Sequence, residues 1–150
     1  MSTTYTKLLY HFVFSTKMRL PLITAAIQDE LYRYIGGIVV GEGAALYEIG
    51  GMPDHVHLLV QLKPTVSLSD FLRQLKSNSS KWLNERTQTP YKFAWQEGYS
   101  AFTVSESQVS RVRAYIQDQA EHHRASDFQS ELRELLSRHG IEFDEQFLWD

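Results

Sequence analysis

Cysteine is absent from the 150 residues of this chain. That removes disulfide frameworks, thiolate metal sites and cysteine nucleophiles, so any metal must be held by histidine, carboxylate or amide side chains. Long apolar runs are missing as well. No stretch reaches the ~20 residues of a membrane span, and the opening Met1-Ser2-Thr3-Thr4-Tyr5 lacks a signal-peptide core. A cytoplasmic protein with no membrane partner is the expectation. Proline is scarce, and its 4 residues fall at expected boundaries: Pro21, Pro53, Pro64 and Pro90. A large excess of either charge is lacking too, the net being −3. The acidity is local. Residues 1–125 hold 13 Lys+Arg against 11 Asp+Glu, whereas residues 126–150 hold 2 against 7. A mildly basic body thus carries an acidic tail.

What is present suits one globular domain able to bury a sizeable core. Its body is expected over 1–125, with 126–150 as an acidic helix and tail of the same domain. The aromatic and β-branched run 8–15 predicts a first strand. A basic segment, Thr16-Lys17-Met18-Arg19, precedes Pro21. Thr24 is placed to cap a helix over 25–36, with Ile27, Leu31, Tyr34 and Ile35 on one stripe. Gly36, Gly37 and Gly41 punctuate its far end, though Ile38-Val39-Val40 could carry it a turn further. Residues 44–49 and 55–62 predict a hairpin turning through Gly50-Gly51-Met52-Pro53. A second helix to about residue 85 places Leu68, Phe71, Leu72, Leu75, Ser79, Trp82 and Leu83 on one arc. Arg73, Lys76, Ser77, Ser80, Lys81 and Asn84 occupy the other. After a polar linker over 87–92, residues 93–95 and 99–104 predict a strand region. Ser105 and Gln108 have capping-box spacing for a third helix to about Arg124, with a core stripe of Val109, Val112, Ile116 and Ala120. A last amphipathic helix over 127–138 carries Phe128, Leu132, Leu135 and Leu136. The order β-α-β-β-α-β plus C-terminal helices is the α+β, ferredoxin-like split βαβ arrangement. Its antiparallel sheet would be covered by two helices on one face and left free for a site on the other.

Chemistry concentrates at Pro53-Asp54-His55-Val56-His57-Leu58-Leu59-Val60. In a strand His55 and His57 share a face while Val56, Leu58 and Val60 point the other way. The pair is either a metal clamp or two surface histidines beside a turn. On the third helix Tyr115 and Gln119 lie one turn apart. Tyr115 reads either as a packed aromatic with a wet hydroxyl or as a nucleophile beside an amide ligand. His122, one turn further, is a rival third ligand. The basic arc of the second helix reads as a solvated face or as a phosphate-contacting one.

Five segments together resemble the HUH-class tyrosine transposases of small bacterial insertion sequences. They are Tyr10-His11-x-Val13-Phe14-x-x-Lys17-x-Arg19, the 53–60 run, Leu75-Lys76-x-x-Ser79-Ser80, Trp95-x-x-Gly98-Tyr99 and Tyr115-Ile116-x-x-Gln119. The resemblance implies a metal-dependent enzyme that cuts and rejoins single-stranded DNA, with a 5′-phosphotyrosine intermediate. It implies Tyr115 as the catalytic tyrosine, and His55, His57 and Gln119 as ligands of a divalent metal, Mg2+ or Mn2+. Imidazoles favour manganese or zinc over magnesium. It also implies recognition of DNA hairpins and a homodimer, in which the tyrosine serves either its own or the partner's histidines. Charge and wheel position add Lys17, Arg19, Arg73, Lys76 and Lys81 as DNA-backbone contacts. The alternative is a domesticated, transposase-derived DNA-binding protein without mobile-element activity. A ferredoxin-like RNA-binding module is a third reading, which no RNP-type motif supports.

Overall fold

The computed structural model describes residues 3–86, 92–124 and 126–149. Most of the polar linker expected over 87–92 lies outside these. The elements are β1 (Leu8–Ser15), α1 (Ala25–Gly41), β2 (Ala45–Met52), β3 (His55–Leu62), α2 (Leu68–Arg86) and β4 (Ser100–Val104). They are followed by α3 (Val109–Gln117), the single turn α4 (Gln119–His122) and α5 (Phe128–Arg138). The four strands form one sheet in the order β2-β3-β1-β4, with every neighbouring pair antiparallel. This is the expected α+β, split βαβ arrangement. No helix among the described residues is long and apolar enough to cross a membrane.

Alternation along β1 and β3 sends side chains into two separate cores. Phe12, Phe14, Val56, Leu58 and Val60 pack with Leu31, Ile35, Phe71, Leu72 and Leu75 of α1 and α2. On the opposite face Val13 and Phe102 pack with Phe128, Leu132 and Leu136 of α5. The sheet face expected to be free is therefore covered. Apolar positions at 128, 132 and 136 give α5 a face to bury, and Asp127 caps its first turn by accepting from the Ser130 N–H at 2.8 Å. Burying each such side chain contributes about 1.5–3 kcal/mol, enough to hold a short helix against the sheet.

Three local expectations are corrected. Gly36 and Gly37 lie inside α1, which continues to Gly41, because Ile38 and Val39 extend its apolar stripe. Gly50 and Gly51 belong to β2 rather than to the turn, which is the pair Pro53-Asp54. Both glycines sit where other backbone passes: a Cβ at Gly50 would lie 2.5 Å from the Ile116 carbonyl oxygen, and one at Gly51 2.2 Å from that of His55. The third helix does not run unbroken from 105 to 124. Ser105 makes no side-chain cap, a 3-10 turn occupies Glu106–Gln108, and helical geometry lapses at Asp118 (φ −95°, ψ 23°). Beyond the lapse Ala120, expected on the core stripe, is exposed, while Gln119 is buried.

Candidate metal and nucleophile site

His55 and His57 lie on the covered face of β3, and neither side chain is exposed. Outer partners orient both rings. His55 Nδ1 lies 2.7 Å from Asp54 Oδ1, so Nδ1 carries a proton and Nε2 is turned to the site. His57 Nδ1 lies 2.8 Å from His11 Nε2, diagonally across the β1–β3 pair, where His57 is the register partner of Val13 and His11 that of Leu59. Imidazoles fixed in this way, with one nitrogen held and the other presented, are the usual form of metal-ligating histidines. Burial lowers the pKa of His57 and takes that of His11 well below its usual range. At His55 burial again opposes charge, but hydrogen bonds from Asp54 and Glu131 outweigh it and raise the pKa to about 9.

α3 lies on β2 at Gly50, whose missing side chain permits the approach. Gly50 is the register partner of His57, so α3 delivers its residues beside the histidines of the same chain. The Tyr115 ring stands edge-on to His57, with centroids 5.6 Å apart. Gln119 Oε1 lies 3.1 Å from His55 Nε2. From the other side α5 inserts Glu131, which is 1% exposed. Its Oε1 is 3.0 Å from His57 Nε2 and 3.4 Å from His55 Nε2, and its Oε2 accepts from Gln119 Nε2 at 3.2 Å and from the Tyr115 hydroxyl. His122 and His123 reach the same carboxylate through Nε2, each at 3.3 Å. Burial would raise the pKa of Glu131, but bonds from the two strand histidines dominate and hold it far down. Burial and the adjacent carboxylate both drive that of Tyr115 up. A cavity of about 590 Å3 opens beside Tyr115, with His11, Phe102, Arg111 and Arg138 in its wall.

The donor set fits a divalent ion. Ligand atoms of His55, His57 and Glu131 all lie within 4.8 Å of one another. Imidazole nitrogens together with amide and carboxylate oxygens suit manganese, zinc and similar ions.

These elements are those of a known group. The model of the family described as "Transposase IS200 like" matches residues 4–119. The chain belongs to that family. It is 29% identical over 115 residues to the ISDra2 transposase TnpA of Deinococcus radiodurans, covering 73% of this chain and 82% of the relative. It is 30% identical over 121 residues to the transposase for insertion sequence element IS200 of Salmonella typhimurium, covering 75% and 76%. Among solved structures, a putative transposase from Deinococcus radiodurans superposes with TM-score 0.65 at 28% identity, covering 79% of this chain and 95% of that one. A REP-associated tyrosine transposase, solved bound to a REP hairpin, has the same fold with TM-score 0.62 at 14% identity, covering 82% and 73%. The IS200-like transposases are DNA strand-transferring enzymes, and this chain shares their fold and function class.

Within this transposase fold the residues predicted for the site divide into two groups. His55, His57, Tyr115 and Gln119 converge as described. The five cations differ in their surroundings. Lys76 is half-buried and donates to the carbonyls of Glu97 and Gly98 at 3.0 and 2.8 Å, with burial lowering its pKa to about 8. Arg73 pairs with Asp70 at 2.9 Å on the exposed face of α2. Arg73 and Lys76 line a cavity of about 440 Å3 with Trp95, Gln96 and Tyr99. Lys81 and Lys92 line a neighbouring depression that shares Ser80 and Ala94 with it. Lys17 is exposed, whereas the Arg19 guanidinium lies 4.8 Å above the Trp149 ring. Arg19 and Met18 hold φ near +56° and +58°, a conformation costing L side chains about 1 kcal/mol or more.

Three contributors were not assigned from the sequence: His11, His123 and Glu131. His11 lay within a quoted motif but carried no signal of its own. Glu131 did carry one. It is the single carboxylate within the apolar stripe Phe128, Leu132, Leu135, Leu136, at i+3 from Phe128, where a charge needs a buried partner.

Proposed function

We propose that this chain cuts and rejoins single-stranded DNA, with the Tyr115 hydroxyl as nucleophile and His55, His57 and Gln119 holding a divalent ion, Mg2+ or Mn2+. One observation carries the reading. Two histidines on β3 and a tyrosine and glutamine from sequence some sixty residues later meet in one buried polar cluster.

The chemistry follows from the groups. When bound, the ion would withdraw charge from the phosphodiester and stabilise the departing 3′-oxygen. His55, oriented by Asp54, and His57, oriented by His11, would hold it through Nε2, and Gln119 through Oε1. Tyr115 attacks phosphorus through its phenolic oxygen as the P–O bond to the 3′-oxygen breaks, and the proton lost by the phenol is matched by the one the leaving oxygen takes up, giving a 5′-phosphotyrosine and a free 3′-hydroxyl. Because the phosphodiester is conserved in the covalent link, another 3′-hydroxyl can reverse the step without an external energy source. The proposed substrate is a DNA strand folded into a hairpin, and Lys17, Arg19, Arg73 and Lys81 are proposed backbone contacts. Lys76 is proposed to act there by fixing the 97–98 segment. A homodimer remains part of the proposal, although Tyr115 stands beside the histidines of its own chain.

The test is a covalent adduct. The protein is incubated with hairpin-bearing single strands from its own genomic surroundings and Mn2+ or Mg2+, then denatured and resolved by mass. Wild type is expected to form a stoichiometric protein–DNA species and Tyr115→Phe none. Absence of an adduct in the wild type, or an equal amount with Tyr115→Phe, would sink the proposal.

A further inference from the structure

The residues matched by the family end at Gln119, yet the carboxylate at the centre of the cluster comes from α5, twelve residues later. A buried carboxylate is costly to keep unless it is paired on every side. Glu131 is met by His55, His57, Gln119 and Tyr115, and the spacing carries more information than the pairing. With metal–ligand bonds of about 2.1 Å, neighbouring donors around one ion stand about 3.0 Å apart in an octahedron and about 3.4 Å apart in a tetrahedron. The observed separations are 3.0 Å from Glu131 Oε1 to His57 Nε2, 3.4 Å from Glu131 Oε1 to His55 Nε2, and 3.1 Å from Gln119 Oε1 to His55 Nε2. All three match edges of a coordination polyhedron. The donor atoms also converge: Asp54 holds the far side of the His55 ring, and Nε2 faces both Glu131 Oε1 and Gln119 Oε1.

We propose that Glu131 is a fourth ligand of the divalent ion, supplied by a C-terminal helix outside the shared family segment, so that two imidazoles, one amide and one carboxylate hold it. This rests on the reading of His55, His57 and Gln119 as ligands. Two consequences follow. The carboxylate is the one anionic donor in that set, so it dominates affinity for a divalent cation among these buried side chains. Its second oxygen holds the Tyr115 hydroxyl, so the same group joins the ion to the nucleophile. Packing of Phe128, Leu132 and Leu136 on Val13 and Phe102 fixes α5 in position to do this.

The test measures the ion and not turnover. Mn2+ is titrated into the metal-free protein, with free ion followed by electron paramagnetic resonance, for wild type, Glu131→Gln and Gln119→Ala. Glutamine keeps the shape and hydrogen-bonding reach of Glu131 and removes only its charge. The expected result is one ion per wild-type chain and at least a tenfold weaker Kd in Glu131→Gln, since loss of even an outer partner costs 10–100-fold. Equal binding by wild type and a folded Glu131→Gln overturns the role of Glu131 and leaves the His55–His57–Gln119 reading standing. Binding by neither overturns both. Unchanged binding with faster adduct formation would make Glu131 a block rather than a ligand, and also overturns the proposal. If Glu131→Gln fails to fold, wild type labelled with 13C-glutamate decides by infrared difference. Mn2+ must then shift one glutamate carboxylate stretch, and an unshifted spectrum refutes ligation.

Discussion

Replacing Gly50 by alanine puts a methyl group where the backbone of α3 already lies. The new Cβ would stand 2.5 Å from the Ile116 carbonyl oxygen and 3.0 Å from Ile116 Cγ2, where ordinary contact begins at 3.4 Å. The obstructing atom is backbone, so side-chain rotation gives no relief, and α3 and β2 must part by about 0.9 Å. Overpacking of this kind costs about 1–3 kcal/mol. The functional effect should exceed the loss of stability, because Tyr115 and Gln119 flank Ile116 and move with it. A misplacement of about 1 Å in a reacting constellation lowers rate on the order of 10²-fold. The assay is single-turnover formation of the covalent DNA adduct, with thermal melting to establish folding. Gly37→Ala is the control, since a Cβ there meets nothing within 4 Å and a helical Gly→Ala exchange is neutral or stabilising. The expectation is a loss of about two orders of magnitude for Gly50→Ala and none for Gly37→Ala. A folded Gly50→Ala that reacts within threefold of wild type would refute docking of the tyrosine helix on its own sheet as the reactive arrangement.

Two further outcomes follow from the same geometry. In chelator, thermal stability should peak near pH 6.5. His55, raised from 6.5 to about 9, contributes stability that is full below pH 6.5 and lost as pH rises towards 9, whereas His57 and His11, both lowered from 6.5, contribute stability that is lost as pH falls below it. A melting temperature that stays flat between pH 6.5 and 9 would contradict this. His11→Phe keeps the ring but removes the partner of His57 Nδ1, 2.8 Å away, and should weaken Mn2+ binding by about 10–100-fold while Tyr115→Phe changes it little. Undiminished affinity in a folded His11→Phe would show that the orientation of His57 is set elsewhere.

The strands, their order and the alternation that puts His55 opposite Val56 were legible because each depends on neighbours in sequence. Period-2 patterning, the proline at 53 and the boundaries of β1 and β3 need no knowledge of what packs on them. The same holds for the apolar stripes of α2 and α5. Where tertiary contact overrode local pattern, the sequence misled. Gly50 and Gly51 resemble a turn, but they are strand residues whose missing side chains admit the backbone of Ile116 and His55. Ala120 leaves the core stripe because helical geometry breaks at Asp118, a lapse that a regular wheel cannot represent.

For the site, the division is sharper. By itself the sequence determined which groups could do the chemistry: no thiolate, two histidines on one strand face, and a tyrosine one turn before an amide. It also determined the family, through five short motifs in order. Only the tertiary structure decided that the second sheet face is closed by α5, that His11 stands behind His57, and that Glu131 meets His55, His57, Gln119 and Tyr115. The reason is that charge burial and ligand geometry are properties of what meets across space. His55 and Glu131 are separated by 76 positions in the chain and by 3.4 Å in the fold.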